Sequence, residues 1–335
     1  MRDRAGRLRS VVSNGITLLV GLLMVLGCKP RFTPVMTVET HFLQSPVVLS
    51  LAVESREELQ VAATLAVTEI RRLEQVFDPI DTDGGLYRLN ETRSITDPEL
   101  YLILERADQV SRLTAGGLNL FMGYLERAYG FTELFPSPPE PGIVREMLLP
   151  LRRATIQLLP ERYQVRITND AFSVSLTGIQ EGYVADQALA HLVFAGVPDA
   201  KVRVGSHVAC GGSPDGLGWP LPVRDPGSGG IVLWLYGENC GIATASVNDR
   251  AYTYRDELYY DHLDPATGRP ARRLNLVTVV APSCELAGGL ARGIFVMEPG
   301  EGLRLLNDLP EVDGMLLDPE GGIAMSDSLF VWMSR

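Results

Sequence analysis

The stretch FSVSLTGIQEGYVADQALAHLVFAG, residues 172–196, decides how the chain is read. FSVSLTGI (Phe172–Ile179) alternates apolar and small polar residues and predicts a strand. Gly178 marks a turn, and EGYVADQALAHLVFAG is a helix that opens beside Gly182 and ends near Gly196. A strand that turns at glycine into a helix presents free backbone N–H groups and the positive end of the helix, where a phosphate can bind. The same junction is also built wherever glycine is needed only for its geometry.

Working outward, strands and helices alternate. AKVRVGSHVACGG (Ala200–Gly212), GIVLWLYG and LNLVTVVAP read as strands, and CELAGGLARGIFVM, from Cys284, as a helix. Toward the N-terminus, PVVLSLAV (Pro46–Val53) has the apolar density of a strand. Leu59, Ala63, Ala66, Ile70, Leu73 and Phe77 then recur every three or four residues and predict an amphipathic helix over Glu57–Phe77, stopped at Asp78-Pro79. DPIDTDGGLYRLNE follows as a loop, and DPELYLILERADQVSRLTAG as a second helix closed at Gly116-Gly117. FPSPPEPG (Phe135–Gly142) is a Pro-rich connector too short to mark a domain boundary. Several β runs broken by a few long helices predict an α+β fold, helices packed on mixed or antiparallel sheets, in one domain over residues 42–335.

The N-terminus stands apart. Arg2, Arg4, Arg7 and Arg9 precede an apolar run, Ile16–Leu26, which is shorter than the roughly 17 to 25 residues of a spanning helix. Val25-Leu26-Gly27-Cys28 reads as a lipobox. Residues 1–27 are therefore expected to be a lipoprotein signal peptide, Cys28 the lipidated N-terminus, and residues 28–41 a tether. The expected location is the bacterial cell envelope, anchored through lipid on the periplasmic or extracytoplasmic side. A net charge of -11 argues against nucleic acid as a partner. Cys210, Cys240 and Cys284 remain beyond Cys28; one bridge, Cys210 with Cys240, is possible in an oxidising compartment.

Chemistry is sparse when read from spacing. The chain has no Walker loop, no GxSxG elbow and no HExxH pair, and its four histidines, His41, His191, His207 and His262, lie too far apart for a ligand cluster. YYDHLDPATGRPA (Tyr259–Ala271) reads first as an Asx-type turn, with Asp264 bonding its own backbone and Pro265 fixing φ.

Taken in order, however, these segments resemble the FAD:protein FMN transferase (ApbE) family from about Leu43 to the C-terminus. EGYVADQAL is similar to the family's (K/E)GYAxD helix start, and DHLDPATGRPA to its HIIDPxTGxPA. WPLPVRDP resembles WxxxIRDP, and FDPIDTDGGLYRLN ends on the family's Arg-Leu-Asn, here Arg88, Leu89 and Asn90. The resemblance implies a lipoprotein that binds FAD, with Mg2+ at the pyrophosphate, and transfers FMN onto a threonine of a target protein. Targets of the family include flavoprotein subunits of membrane redox complexes, the Na+-pumping NADH:quinone reductase and Rnf types.

Carried over by position, the resemblance places FAD against Leu43, Gly117, Leu118, Asn119, Gly178, Glu181 and Leu263, with the Gly178 carbonyl facing the metal. The departures cluster at the chemistry. The family's metal helix carries Asp and, four residues on, Thr; Gly288 and Arg292 stand there, so the face offers no carboxylate and one cation. Ser175 replaces an Asp, and Ser206-His207 a Gly-Asp pair. The family histidine lies three residues before the turn Asp, a place held by Asp261; His262 is one residue late, and in a strand it would face the opposite side unless a bulge restores it. His262 is the candidate base and Arg292 a candidate contact to FAD. The expectations are thus an active transferase, a catalytically inactive relative that binds flavin or a partner, or a structural envelope lipoprotein.

Overall fold

In the computed structural model the chain is described over residues 33–131, 133–151, 153–168 and 173–333. The signal peptide, Cys28 and the start of the tether lie outside the described residues. Among those described, no helix is long and apolar enough to cross a membrane.

A central sheet of eight strands organises the molecule: β1 Val35–Phe42, β2 Ser45–Ala52, β3 Ala200–Val204, β4 His207–Cys210, β5 Cys240–Ser246, β6 Leu276–Ala281, β7 Asp313–Leu317 and β8 Ile323–Met325. They are hydrogen-bonded in the order in which they occur along the chain. Every pair is antiparallel. All six residues of β6 are buried, the mark of a strand covered on both faces. Side chains alternate across a strand, so Val277, Val279 and Ala281 face one core while Leu276 and Val280 face another.

The larger core is built with helices. Helix α1 (Arg56–Phe77) buries the stripe Ala63, Ala66, Ile70, Leu73 and Phe77 that its spacing predicts. After α2 (Gly85–Thr92), helix α3 (Pro98–Leu113) is capped by the Asp97 carboxylate on the amides of Glu99 and Leu100. Helices α4 (Gly123–Tyr129) and α5 (Pro141–Leu151) precede α6 (Gln180–Phe194), and α7 (Cys284–Phe295) and α8 (Pro299–Asp308) join β6 to β7. On the other face a hairpin, Trp219–Arg224 with Ile231–Gly237, seals Val208, Leu276, Val280 and Met315.

Helix α7 positions the site. Ser283 caps it by accepting from the Leu286 amide, and the Asp186 carboxylate of α6 accepts from the Cys284 and Glu285 amides at 3.0 and 2.9 Å. Every residue of α7 but Leu286 is buried, which its glycines and alanines permit. A Cβ on Gly182 of α6 would overlap the Cys284 carbonyl. Gly182 thus serves helix contact, and α6 and α7 enter the site side by side.

Several expectations are corrected. Strand β1 starts at Val35, inside the segment 28–41 expected to be a tether. Residues 173–176 are not a ladder strand; Phe172 lies outside the described residues. Their hydrogen bonds go instead to a helix side chain and a loop, with Val174 and the Asn90 side chain of α2 exchanging two bonds and the Ser175 amide donating to Leu120. AKVRVGSHVACGG is a hairpin, β3 and β4, because Gly205 turns with φ of 58°. Arg88, Leu89 and Asn90 sit on α2 rather than in a loop. Cys210 and Cys240, whose pairing the sequence leaves open, stand directly opposite across β4 and β5 and are not joined by a disulfide.

Candidate functional site

A cavity of about 130 Å³ opens where α6 begins, against the middle and last turn of α7, by the β3–β4 turn and beside the 261–262 segment. Pockets that enclose a whole small ligand run to roughly 300–1,000 Å³, so this one fits a fragment the size of a phosphate or two.

Gly178 forms its floor. Its φ of +89° is the left-handed region that favours glycine, and a Cβ there would overlap Arg292 Cδ. Its amide donates to Glu181 Oε2 at 3.1 Å, which ties the first turn of α6 back onto the entering chain. Its carbonyl faces His207 Nε2 at 3.3 Å. A carbonyl only accepts, so Nε2 carries the proton in this bond. His207 Nδ1 is then the bare nitrogen, buried and without a hydrogen-bond partner. The ring fits because position 288 has no side chain: a Cβ on Gly288 would lie 2.6 Å from both His207 Nε2 and the Gly178 oxygen.

Arg292, one turn along α7, lies buried across the cavity. Nη2 donates to Glu126 Oε1 at 2.9 Å and to the Asp261 carbonyl at 2.8 Å. Nη1 makes only long contacts, 3.4 Å to Asp261 Oδ2 and 3.5 Å to His262 Nδ1. A second guanidinium, Arg250, comes from the loop after β5, where the backbone has φ of 43°. It bonds Glu181 Oε1 at 3.1 Å and lies 3.8 Å from Asp261 Oδ2. Burial opposes the charge on Asp261, but Arg292, His262 and Arg250 overcome it and hold its carboxyl below the usual range. Burial likewise opposes the charge on Arg250, and Asp261 and Glu181 more than restore it.

Asp261 and His262 both line the cavity, which corrects the expectation that adjacent residues would face opposite sides. The reason is local: the chain is not in a strand at 260–262, and regular pairing resumes only at Leu263. His262 is clamped by Asp249 Oδ2 at 3.1 Å, an oxygen that also accepts the Ser246 amide at 2.8 Å, and its ring lies 4.4 Å from that of Phe295. The Asp249 carboxylate only accepts, so in that bond Nε2 carries the proton and Nδ1, 3.5 Å from Arg292 Nη1, keeps the lone pair; the Ser246 amide, which also lies 3.2 Å from Nε2, is then satisfied by Asp249 Oδ2 at 2.8 Å.

Of the residues singled out in the sequence, Gly178, Glu181, Ser206, His207, Asp261, His262, Gly288 and Arg292 meet at this cavity. Leu43, Gly117, Leu118, Asn119 and Leu263 do not line it. The Leu43 amide donates to Glu74 Oε1 at 2.6 Å, Gly117 packs on Gly293 of α7, and Leu118 is core. Asn119 accepts from the Phe121 amide at 2.9 Å, and Leu263 packs with Met122, Leu125 and Tyr129. Sequence reasoning missed Glu126, Asp249 and Arg250. None sits in a recognisable motif, and only the fold brings Asp249 and Arg250 to the cavity and Glu126 to Arg292.

The residues present do not fit a divalent ion. The Gly178 oxygen is taken by an imidazole, the α7 face offers Gly288 and a cation, and Asp261 Oδ2 is shared between two guanidiniums. Asp261 Oδ1 is buried without a partner, but one oxygen is no coordination shell for a cation that wants six.

Comparison with known proteins agrees with this architecture. The family model described as the ApbE family matches residues 43–316. The FAD:protein FMN transferase of Vibrio cholerae is 28% identical over 330 residues, covering 89% of this chain and 92% of that one. Its counterpart from Treponema pallidum is 24% identical over 291 residues and 80% of each chain. Among solved structures, the ApbE protein of Thermotoga maritima superposes with a TM-score of 0.82 at 21% identity, and the Vibrio cholerae flavin transferase ApbE with 0.74 at 22%. Each covers 90% of this chain and 100% of the other.

Proposed function

The chain belongs to the ApbE family, and on that premise we infer that it is a flavin transferase, moving FMN from FAD to a threonine hydroxyl of a target protein. One observation carries this reading: EGYVAD and DHLDP, the two segments most similar to the family's motifs and far apart in sequence, line a single cavity of pyrophosphate size. The pyrophosphate occupies that cavity at the N-terminal turn of α6. The flavin is assigned to Leu43, Gly117, Leu118, Asn119 and Leu263, outside the cavity, on their places in the family's motifs.

In the reaction, the threonine oxygen forms a bond to the phosphorus of the FMN half, the bridging P–O bond breaks, and AMP leaves with the bridging oxygen. The hydroxyl proton goes to His262 Nδ1, the lone-pair nitrogen on the cavity side, while Asp249 holds Nε2 and so sets the tautomer. Arg292 must yield its 3.5 Å contact to Nδ1 as the hydroxyl arrives. Mg2+, implied by the resemblance, finds no fitting donor set, and no step is routed through it.

The test uses protein lacking residues 1–32, incubated with FAD, Mg2+ and a threonine-bearing flavoprotein subunit. A covalently fluorescent band on the target is expected. His262→Gln should retain FAD binding yet lower transfer by about 100-fold or more, the range of a lost general base. FAD bound without any transfer would make this chain a flavin holder and end the catalytic reading.

Membrane redox complexes, attachment through lipid on Cys28 and an extracytoplasmic location complete the proposal, resting on the N-terminal sequence and the family. Mass spectrometry of the mature N-terminus should find a diacylglyceryl group on Cys28. An unmodified N-terminus would remove the anchor.

A further inference from the structure

We propose that this protein binds the FAD pyrophosphate without a divalent ion, the positive charge being supplied by the Arg292 guanidinium, assisted by Arg250. The proposal deepens the transferase reading and rests on it. A buried guanidinium on a cavity floor is a fixed cation, more weakly hydrated than an ammonium and shaped to bond two phosphate oxygens at once. Nη2 fastens Arg292 with two short bonds, to Glu126 and the Asp261 carbonyl. Nη1 is held only by contacts of 3.4 and 3.5 Å, and the residue lines the cavity. Arg292 is thus anchored by one nitrogen and available through the other.

One further group points the same way. Arg250, at the same cavity, is the less tightly held guanidinium, with contacts of 3.1 and 3.8 Å. The His207 imidazole lines the cavity beside them with its Nε2 on the Gly178 carbonyl. Asp261 is then the internal competitor, because Oδ2 occupies the faces of Arg292 and Arg250 that a phosphate would take.

That competition gives a test whose sign separates the two kinds of site. FAD is titrated into the flavin-free protein by calorimetry, once in EDTA and once in excess Mg2+. We expect the same affinity in both. Asp261→Asn, which frees both guanidiniums, should tighten binding in EDTA by about tenfold, the weight of one charge-assisted hydrogen bond. Arg292→Met should weaken it by a similar factor. Binding that requires Mg2+, or Asp261→Asn weakening FAD as loss of a metal ligand would, overturns the proposal and leaves the transferase reading standing. No binding of FAD under either condition overturns the transferase reading itself. If Arg292→Met does not fold, the native protein and Asp261→Asn still decide.

Discussion

Gly288 and His207 are one unit. The imidazole occupies the volume a side chain at 288 would need, and its Nε2 lies on the Gly178 carbonyl that such a side chain would crowd. Gly288→Asp, the change that would place a carboxylate on this face of α7, therefore collides first. We expect it to cost about 2–3 kcal/mol, in the range of overpacked cores. His207→Gly combined with Gly288→Asp should recover part of the loss, with a coupling of about 1 kcal/mol or more in a thermal-melt double-mutant cycle. Additive losses would mean that the two positions do not share that space. At this scale the sequence shows which residues depart from the family pattern. It does not show that two departures compensate each other, because positions 207 and 288 meet only through β4 and α7.

Helices α3, α6 and α7 share a buried polar seam. Arg106 of α3 bonds Glu285 of α7 at 2.6 Å, close to the Asp186 cap. Burial pushes Glu285 up to about 7, with Arg106 pulling it back, and pushes Asp186 up to about 6 against its two amide bonds. Both acids bind protons more tightly folded than unfolded. Their stabilising share is thus complete below about pH 4 and is lost as pH rises through 6 and 7. For Glu285 this amounts to on the order of 3 kcal/mol. Melting temperature should fall between about pH 4 and 7, and Glu285→Gln should flatten that fall; parallel curves would contradict the assignment. The nearby Gly182 contact gives a harder test. Gly182→Ala places its methyl on the Cys284 carbonyl, so α6 and α7 must separate, and we expect at least 2 kcal/mol of lost stability by denaturant titration. An unchanged midpoint would show that the helices have room. The helices were legible from periodicity and from the stops at Asp78-Pro79 and Gly116-Gly117; the Ser283 and Asp97 caps emerge only in the structure. The 173–176 segment was misread because alternation reports burial on one side but not whether a strand partner exists.

Across the whole molecule, composition and the α/β alternation indicated α+β, and the in-order antiparallel sheet explains why: each helical insertion returns the chain to the next strand. Family motifs brought Gly178, Glu181, His262 and Arg292 within reach of the sequence alone. Glu126, Asp249 and Arg250 were out of reach, since each comes from a segment whose only tie to the cavity is three-dimensional. The cavity that results puts a protein cation against the Gly178 backbone and a clamped imidazole beside it. Flavin transfer in a chelator tests this arrangement most directly. The protein, FAD and a threonine-bearing target are mixed in EDTA, and the covalent flavin band is followed with time. We expect the band to form and its rate to stay within about twofold when excess Mg2+ replaces EDTA, since no step is routed through the ion. A band that forms only after Mg2+ is added would contradict the role given to Arg292.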